Sequence, residues 1–533
     1  LKISNSFFGL ALGAIVALVN LLAFSKALNL KFVLFVLMAV VLGLALKKWL
    51  QPRFETATYA ILSIVSAVLV YSTFANILVD DAGFVIRYMN MARQGCFYCY
   101  NLSEGPVFGI SSIIYGMLSC GLAMTGIASN TVIILALNFL GLSALFFFLL
   151  RIFKLLLKDN LLLVLSFSLA VMCSTRFLFS ATAGLETNVH LAIIFAGIYF
   201  FFADERNMMW LFFGLSVVSK LDAVPLVVIL SMVHLMEKRT EYFGLQWILN
   251  WRRAVLFAGV PLILFVGLTF TLFDGPLPQS AYAKLYFHSH PTEHWFPFLE
   301  LFLERGARMA LLAFALLLSI IQAVVGYRTG RYRLKESALL LGFLATMLLY
   351  YFYNPVERMI WYYALPELLL FGQLALATGL LIKTLSEHEN EWLLTVSHVL
   401  MFAALSLAAV PMTTGEMQWM DRYLNTVETE RIEIGHYVSQ LPAGDTLASA
   451  HGHFGANYKG HVLDLSGLNS KLVTDFHRNT DSLLHSFHPR YFIQHATEEN
   501  MNIAIQNNYV ILQEWHQVEQ YGYPKWVLWE RKP

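Results

Sequence analysis

Runs of about twenty residues without a charge recur along this chain and constrain its fold more than any other feature. From Ala57 to Leu78 there is no acid, lysine, arginine or histidine. A run of that length is what an α-helix needs to cross a hydrocarbon layer of ~30 Å. With 58% hydrophobic and only 13% charged residues, the sequence is far more apolar than a water-soluble domain. It therefore predicts a polytopic α-helical membrane protein. The alternating ten-residue segments of a transmembrane β-barrel are absent. A net charge of +1 with no basic stripe excludes nucleic acid as a partner and leaves membrane lipids as the surroundings. The first apolar segment lacks a small-residue cleavage site and reads as a retained span rather than a secretory leader.

The distribution of lysine and arginine orients the spans. Lys47, Lys48 and Arg53 form a basic cluster that belongs in the cytoplasm. The span 57–78 then delivers Asp80 and Asp81 to the opposite side. Continued alternation gives about thirteen spans. Residues 1–411 become a transmembrane catalytic domain with an extracytoplasmic loop at 79–128, and 412–533 an extracytoplasmic tail. Segment 107–127, interrupted by Gly and Ser, is expected to lie on the surface or re-enter. If it crossed, Arg151, Lys154 and Lys158 would fall on the wrong side. In the tail, a helix over 428–441 and short apolar strands at 446–449, 461–465, 491–493, 509–513 and 526–529 predict a small α/β domain.

Two adjacent carboxylates at the mouth of a span are expensive and seldom there for packing. After them, Phe84, Tyr88 and Met91 repeat at helical spacing, which predicts an amphipathic helix lying along the membrane surface. The pair is thereby held at the water–lipid boundary. Arg87, Glu186, Lys220, Asp222, Lys284 and Arg358 fall on the same side, with Tyr282 near Lys284. A carboxylate can take the proton of an attacking hydroxyl. Lysine and arginine can neutralise a phosphate as it departs, and an oily leaving group explains the location.

Each residue also has a plainer reading. Either aspartate could cap the helix they begin, and one catalytic and one structural carboxylate is expected, with the first favoured as base. The pair could instead hold a divalent cation; no other metal site and no certain cofactor is read from the sequence. Lys220 could simply pair with Asp222, Glu186 could cap a helix, and Arg358 could snorkel to the interface. Cys96 and Cys99 could be a local disulfide or two thiols.

Asp80-Asp81-Ala82 with Arg87-Tyr88 resembles the opening motif of GT-C glycosyltransferases, in particular the branch containing the mycobacterial terminal arabinofuranosyltransferase. Glu104-Gly105-Pro106, Gly109-Ile110-Ser111-Ser112 and Gly184-Leu185-Glu186-Thr187 are similar to later motifs of that branch. So are Pro278-Gln279-Ser280-Ala281-Tyr282-Ala283-Lys284 and the stretches 452–455 and 462–468. Lys220-Leu221-Asp222-Ala223 departs from the Arg-Pro-acid-Gly usual there. The resemblance implies inverting transfer of a sugar, arabinofuranose being the branch's own, from a polyprenyl-phosphate donor to an extracytoplasmic glycan or protein acceptor. It implies an inner-membrane location, Asp80 or Asp81 as base, Lys220, Lys284, Arg358 and Arg87 on the donor phosphate, and Glu186, Asp222 and Tyr282 in support. A transporter or flippase of lipid-linked sugars is the rival reading, and would require charges at the bilayer midplane.

Overall fold

The computed structural model describes residues 55–74, 78–157, 161–172, 174–243, 247–273, 275–287, 306–328, 333–353, 360–387, 422–470, 473 and 479–532. The expected spans before residue 55, the last one at 392–410 and the boundary at 411–412 lie outside the described residues. Helices Asn130–Leu156, Ile248–Phe273, Leu334–Tyr351 and Ala364–Thr384 are each long and apolar enough to cross a membrane. Shorter apolar helices accompany them, among them Thr187–Phe202 and Leu312–Arg328. The chain is thus a polytopic α-helical membrane protein with a small α/β domain at its C-terminal end; the described helices do not establish the number thirteen.

The helices that matter for the site are α1 (Glu55–Phe74), α2 (Asp80–Arg93), α3 (Ile113–Thr125), α4 (Asn130–Leu156), α5 (Thr187–Phe202), α6 (Arg206–Ser219), α7 (Val224–Glu237) and α8 (Gln279–Phe287). Helix α3 has 13 residues, about 20 Å at 1.5 Å per residue, which is too short to cross. Ser112 caps its start, its side chain accepting from the Tyr115 N–H, and a left-handed Gly126 ends it. The apolar run 161–179, which the sequence alone reads as one of the spans, is two helices, Leu161–Met172 and Thr175–Thr182. Ser174 breaks it, its hydroxyl accepting from the Phe177 N–H as an N-cap.

Charges gather at the helix ends. Lys335 Nζ lies 3.3 Å from Asp204, Lys238 Nζ lies 3.9 Å from it, and Arg206 pairs with Glu241. This cluster joins the loops that begin α6, end α7 and precede residue 338. Glu186, at the start of α5, and Lys220, at the end of α6, sit one helix length away, roughly 20 Å.

The tail contains a five-stranded sheet in the order β2-β1-β3-β5-β4. Its strands are β1 (Thr446–Ser449), β2 (His461–Asp464), β3 (Tyr491–His495), β4 (Tyr509–Trp515) and β5 (Trp526–Arg531). β1 runs parallel to β2 and β3, while β5 is antiparallel to β3 and β4. Side chains alternate along each strand. Leu447, Tyr491, Ile493, Trp526 and Leu528 enter one core; Ala448, Phe492, Val527 and Trp529 enter another on the opposite face.

The first of these cores is not the tail's alone, because Phe84, Val85, Tyr88, Tyr98 and Tyr100 belong to it. Helix α9 (Gly452–Ala456) lies directly on α2. A Cβ on Gly452 would collide with the Asp80 carbonyl oxygen and the Phe84 nitrogen, and one on Gly83 would meet the Gly452 backbone. Only this glycine pair lets the two helices approach so closely.

Arg87 then fastens the contact. Its guanidinium, 1% exposed, donates from Nε to Tyr100 O (2.8 Å), from Nη1 to Gly455 O (3.0 Å) and Tyr458 O (2.7 Å), and from Nη2 to Gly460 O (2.9 Å) and Asn101 Oδ1 (2.7 Å). Asn101 continues the edge of β2, exchanging bonds of 2.9 Å with Val462 N and O. Asn101 is thereby buried in the folded chain, 2% exposed.

Gly452→Ala places a methyl group against backbone that cannot move aside. We expect it to destabilise tail docking by about 1–3 kcal/mol, read as a lower melting temperature in detergent and faster proteolytic release of the tail. Gly444→Ala, where an added Cβ meets nothing within 4 Å, should change neither.

Candidate active site

Helix α2 starts after Val79, whose extended backbone (φ −76°, ψ 164°) is tied by its N–H to Ala183 O at 3.2 Å. Successive helical residues diverge by about 100°, so the two aspartates face different partners. Asp80 turns to the tail: its Oδ2 lies 2.7 Å from His451 Nδ1, and its Oδ1 accepts from the His453 N–H at 3.1 Å. It caps α9 rather than its own helix. The His451 ring is held edge-on against Trp526, 4.8 Å between centroids. Burial opposes ionisation of Asp80, but His451, Arg431 and His453 outweigh it and hold its carboxyl below the usual carboxylate range.

Asp81 turns the other way, into a solvent-open cleft whose wall includes Ser111, Glu186, Lys220, Ser280, Tyr362 and Asn469. Phe84, Val85, Ile110, Leu185 and Leu468 supply its apolar lining. Lys220 follows the last residue of α6 in extended conformation (φ −163°, ψ 134°), which interrupts the helix and frees its side chain to enter the cleft.

Its ammonium lies 3.1 Å from Glu186 Oε1, 3.8 Å from Asp222 Oδ2 and 5.2 Å from the Tyr362 ring centre. Burial works against that charge, yet Glu186 and Asp222 hold Lys220 above the ordinary lysine range. Burial likewise opposes Glu186, and Lys220 and a 2.8 Å bond from the Ser111 hydroxyl keep it below its ordinary value. Asp222 is also 2.9 Å from His190 Nε2, and His190 Nδ1 is 3.2 Å from Ser219 Oγ. The site is therefore a cation clamped between acids on one wall and a carboxylate on α2 on another.

Of the residues expected on the donor phosphate, only Lys220 is seen in the cleft. Arg87 lies away from it, with all five N–H donors taken by the contacts described above, so it has none for a phosphate. Lys284 sits on α8, whose Ser280 reaches the cleft, but its side chain lies outside the described residues, as does Arg358 altogether. Tyr282, on the same helix, is 47% exposed and is not part of the wall. Glu186 lines the cleft, and Asp222 stands behind Lys220. Among the described residues no three His, Cys, Asp or Glu side chains are grouped to hold a metal ion. Cys96 and Cys99 are disulfide-bonded to each other.

The tail, expected from the sequence to bind or position an acceptor, reaches the cleft through one turn. Asp464, at the end of β2, accepts from the Ser466 and Asn469 N–H groups at 3.0 and 2.8 Å, folding the turn that brings Leu468 and Asn469 to the cleft. The stretch 462–468 pointed to a strand and turn, but nothing in it pointed at a wall formed by residues nearly four hundred positions earlier.

No protein-family model matches this chain, and no curated protein matches it. Among solved structures it is similar to the crystal structure of ArnT from Cupriavidus metallidurans in the apo state. The TM-score is 0.54 at 11% identity, covering 90% of this chain and 99% of that one. It is similar also to the same ArnT bound to undecaprenyl phosphate, with TM-score 0.53 and 10% identity over 89% of this chain and 99% of that one. The likeness shows a shared fold across nearly the whole length. It does not single out the arabinofuranosyltransferase branch.

Asp80→Asn removes the charge that holds His451 and the start of α9. We expect a loss of about 1–3 kcal/mol at pH 7, seen as a lower melting temperature. Because the folded carboxyl is held below its ordinary value, its contribution is complete at neutral pH. The gap between wild type and variant should narrow only below roughly pH 4, where the unfolded chain's aspartate takes up its proton.

Proposed function

We propose that this chain is a membrane glycosyltransferase of the GT-C type, moving a sugar from a polyprenyl-phosphate donor to a hydroxyl of an extracytoplasmic glycan or protein. The observation that carries the reading is that Asp81 and Lys220 share one cleft, bounded by helix α2 on one side and the ends of apolar helices on the other. The fold likeness to ArnT, including a structure bound to undecaprenyl phosphate, supports it. The disulfide beside α2 supports an oxidising, extracytoplasmic compartment for the cleft in an inner membrane.

In this reaction the acceptor hydroxyl gives its proton to the Asp81 carboxylate while its oxygen attacks the anomeric carbon. The carbon–oxygen bond to phosphate breaks, and the electron pair leaves with the lipid phosphate. Attack from the face opposite the phosphate inverts the anomeric centre. Negative charge grows on the departing phosphate, and the Lys220 ammonium, fixed by Glu186 and Asp222, meets it without reorganising. Lys284 and Arg358 are further candidates for the same phosphate. Asp80 serves to hold the tail in register with α2. Arabinofuranose, which the sequence motifs suggest, is the first donor sugar to try.

The test is transfer from synthetic polyprenyl-phosphate sugars to cell-envelope acceptors. Asp81→Asn should lower kcat by about 10²–10⁴, the contribution of a general base, with an unchanged melting temperature; full activity in that variant would rule Asp81 out as the base. If wild type consumed no donor but carried lipid-linked sugar across proteoliposome membranes, the transporter reading would replace this one.

A further inference from the structure

Asn469 is 2% exposed and yet forms part of the cleft wall. Its orientation is fixed. The side-chain Nδ2 donates to Asp464 Oδ2 at 2.9 Å, and the backbone N–H donates to the same oxygen at 2.8 Å. With the amide nitrogen committed, the carboxamide oxygen must point away from Asp464. It lies against Gly109, another wall residue, so closely that a Cβ there would overlap it.

Among the described residues nothing donates to this oxygen. The Tyr88 hydroxyl lies against the same glycine and also has no partner among the described residues. The carboxamide oxygen is thus an acceptor of fixed orientation in the wall of a cleft that also holds Asp81 and Lys220.

We infer that Asn469, supplied by the tail, is a specificity-determining residue whose carboxamide oxygen accepts a hydrogen bond from a carbohydrate hydroxyl bound in the Asp81 cleft. A sugar hydroxyl carries an O–H donor, and so matches this acceptor. The inference rests on the glycosyltransferase reading and deepens it: the tail selects substrate at the reaction centre. The hydroxyl belongs either to the donor sugar or to the acceptor.

The experiment uses the full chain in nanodiscs with a series of polyprenyl-phosphate sugars, each lacking one hydroxyl, and a matching series of deoxy acceptors. In wild type, deleting the recognised hydroxyl should lower kcat/KM about tenfold, the value of one neutral hydrogen bond at the upper end of its range. Asn469→Ala should suffer the same loss on the complete substrate and be indifferent to that one deletion, a non-additive cycle. If the cycle closes on the donor series, and also in donor hydrolysis without acceptor, the donor sugar is the source. If it closes only on the acceptor series, the acceptor is.

Ser466→Ala loosens the same turn but keeps the Asn469 oxygen, so it should retain the wild-type discrimination. Should Asn469→Ala not accumulate as folded protein, Asn469→Ser carries the same cycle. Wild-type discrimination preserved in the Asn469 variants across both series would overturn the assignment while leaving the transfer reading intact. A wild-type chain that uses no polyprenyl-phosphate sugar would overturn both.

Discussion

A guanidinium shut away from water must spend every N–H on protein, because each one left over costs the desolvation of a charged donor. Arg87 meets that demand with four backbone carbonyls and one side-chain amide, drawn from residues 100–101 and 455–460. One side chain thus fixes helix, loop and tail at a common point. Six residues earlier on the same helix stands Asp81, so its place in the cleft wall is set by that anchorage. The Gly83–Gly452 approach and the Asp80 contacts with His451 and His453 reinforce the same junction from the start of the helix.

The neighbouring aspartates divide their work because a helix separates consecutive side chains in angle while keeping them close along the axis. Asp80 sees imidazoles, a guanidinium and a backbone N–H, all of which stabilise its charge and lower its appetite for a proton. A carboxylate so well satisfied is a good anchor. Asp81 lines the cleft instead. Lys220 shows the opposite economy: two acids hold its charge in place, and Tyr362 bounds the space around it.

Much of this arrangement is legible in the sequence. The short apolar runs at 446–449, 461–465, 491–493, 509–513 and 526–529 mark the strands of a sheet whose two faces enter separate cores. The tandem acids after an apolar span mark the start of helix α2, and Lys220 and Asp222, two apart, do meet. Arg87 reads differently in the fold because its partners are mostly carbonyls, which every residue carries and no pattern reveals. The pairing of Glu186 with Lys220 and the arrival of Asn469 depend on chain segments brought together only by tertiary packing. The break at Ser174 was hidden for another reason: a serine inside an apolar run reads as tolerated polarity, not as a cap.

The junction around Arg87 also imposes an order on biogenesis. The helix that bears the paired acids is synthesised some 370 residues ahead of the carbonyls at Gly455, Tyr458 and Gly460 that complete its arginine's coordination. Contacts so distant along the polypeptide form late. A nascent chain would have its apolar helices in the bilayer long before its cleft acquired a full wall. The cleft would then be complete only after the ribosome had released the tail, so that unfinished copies in the membrane would carry it without the wall that Leu468 and Asn469 supply.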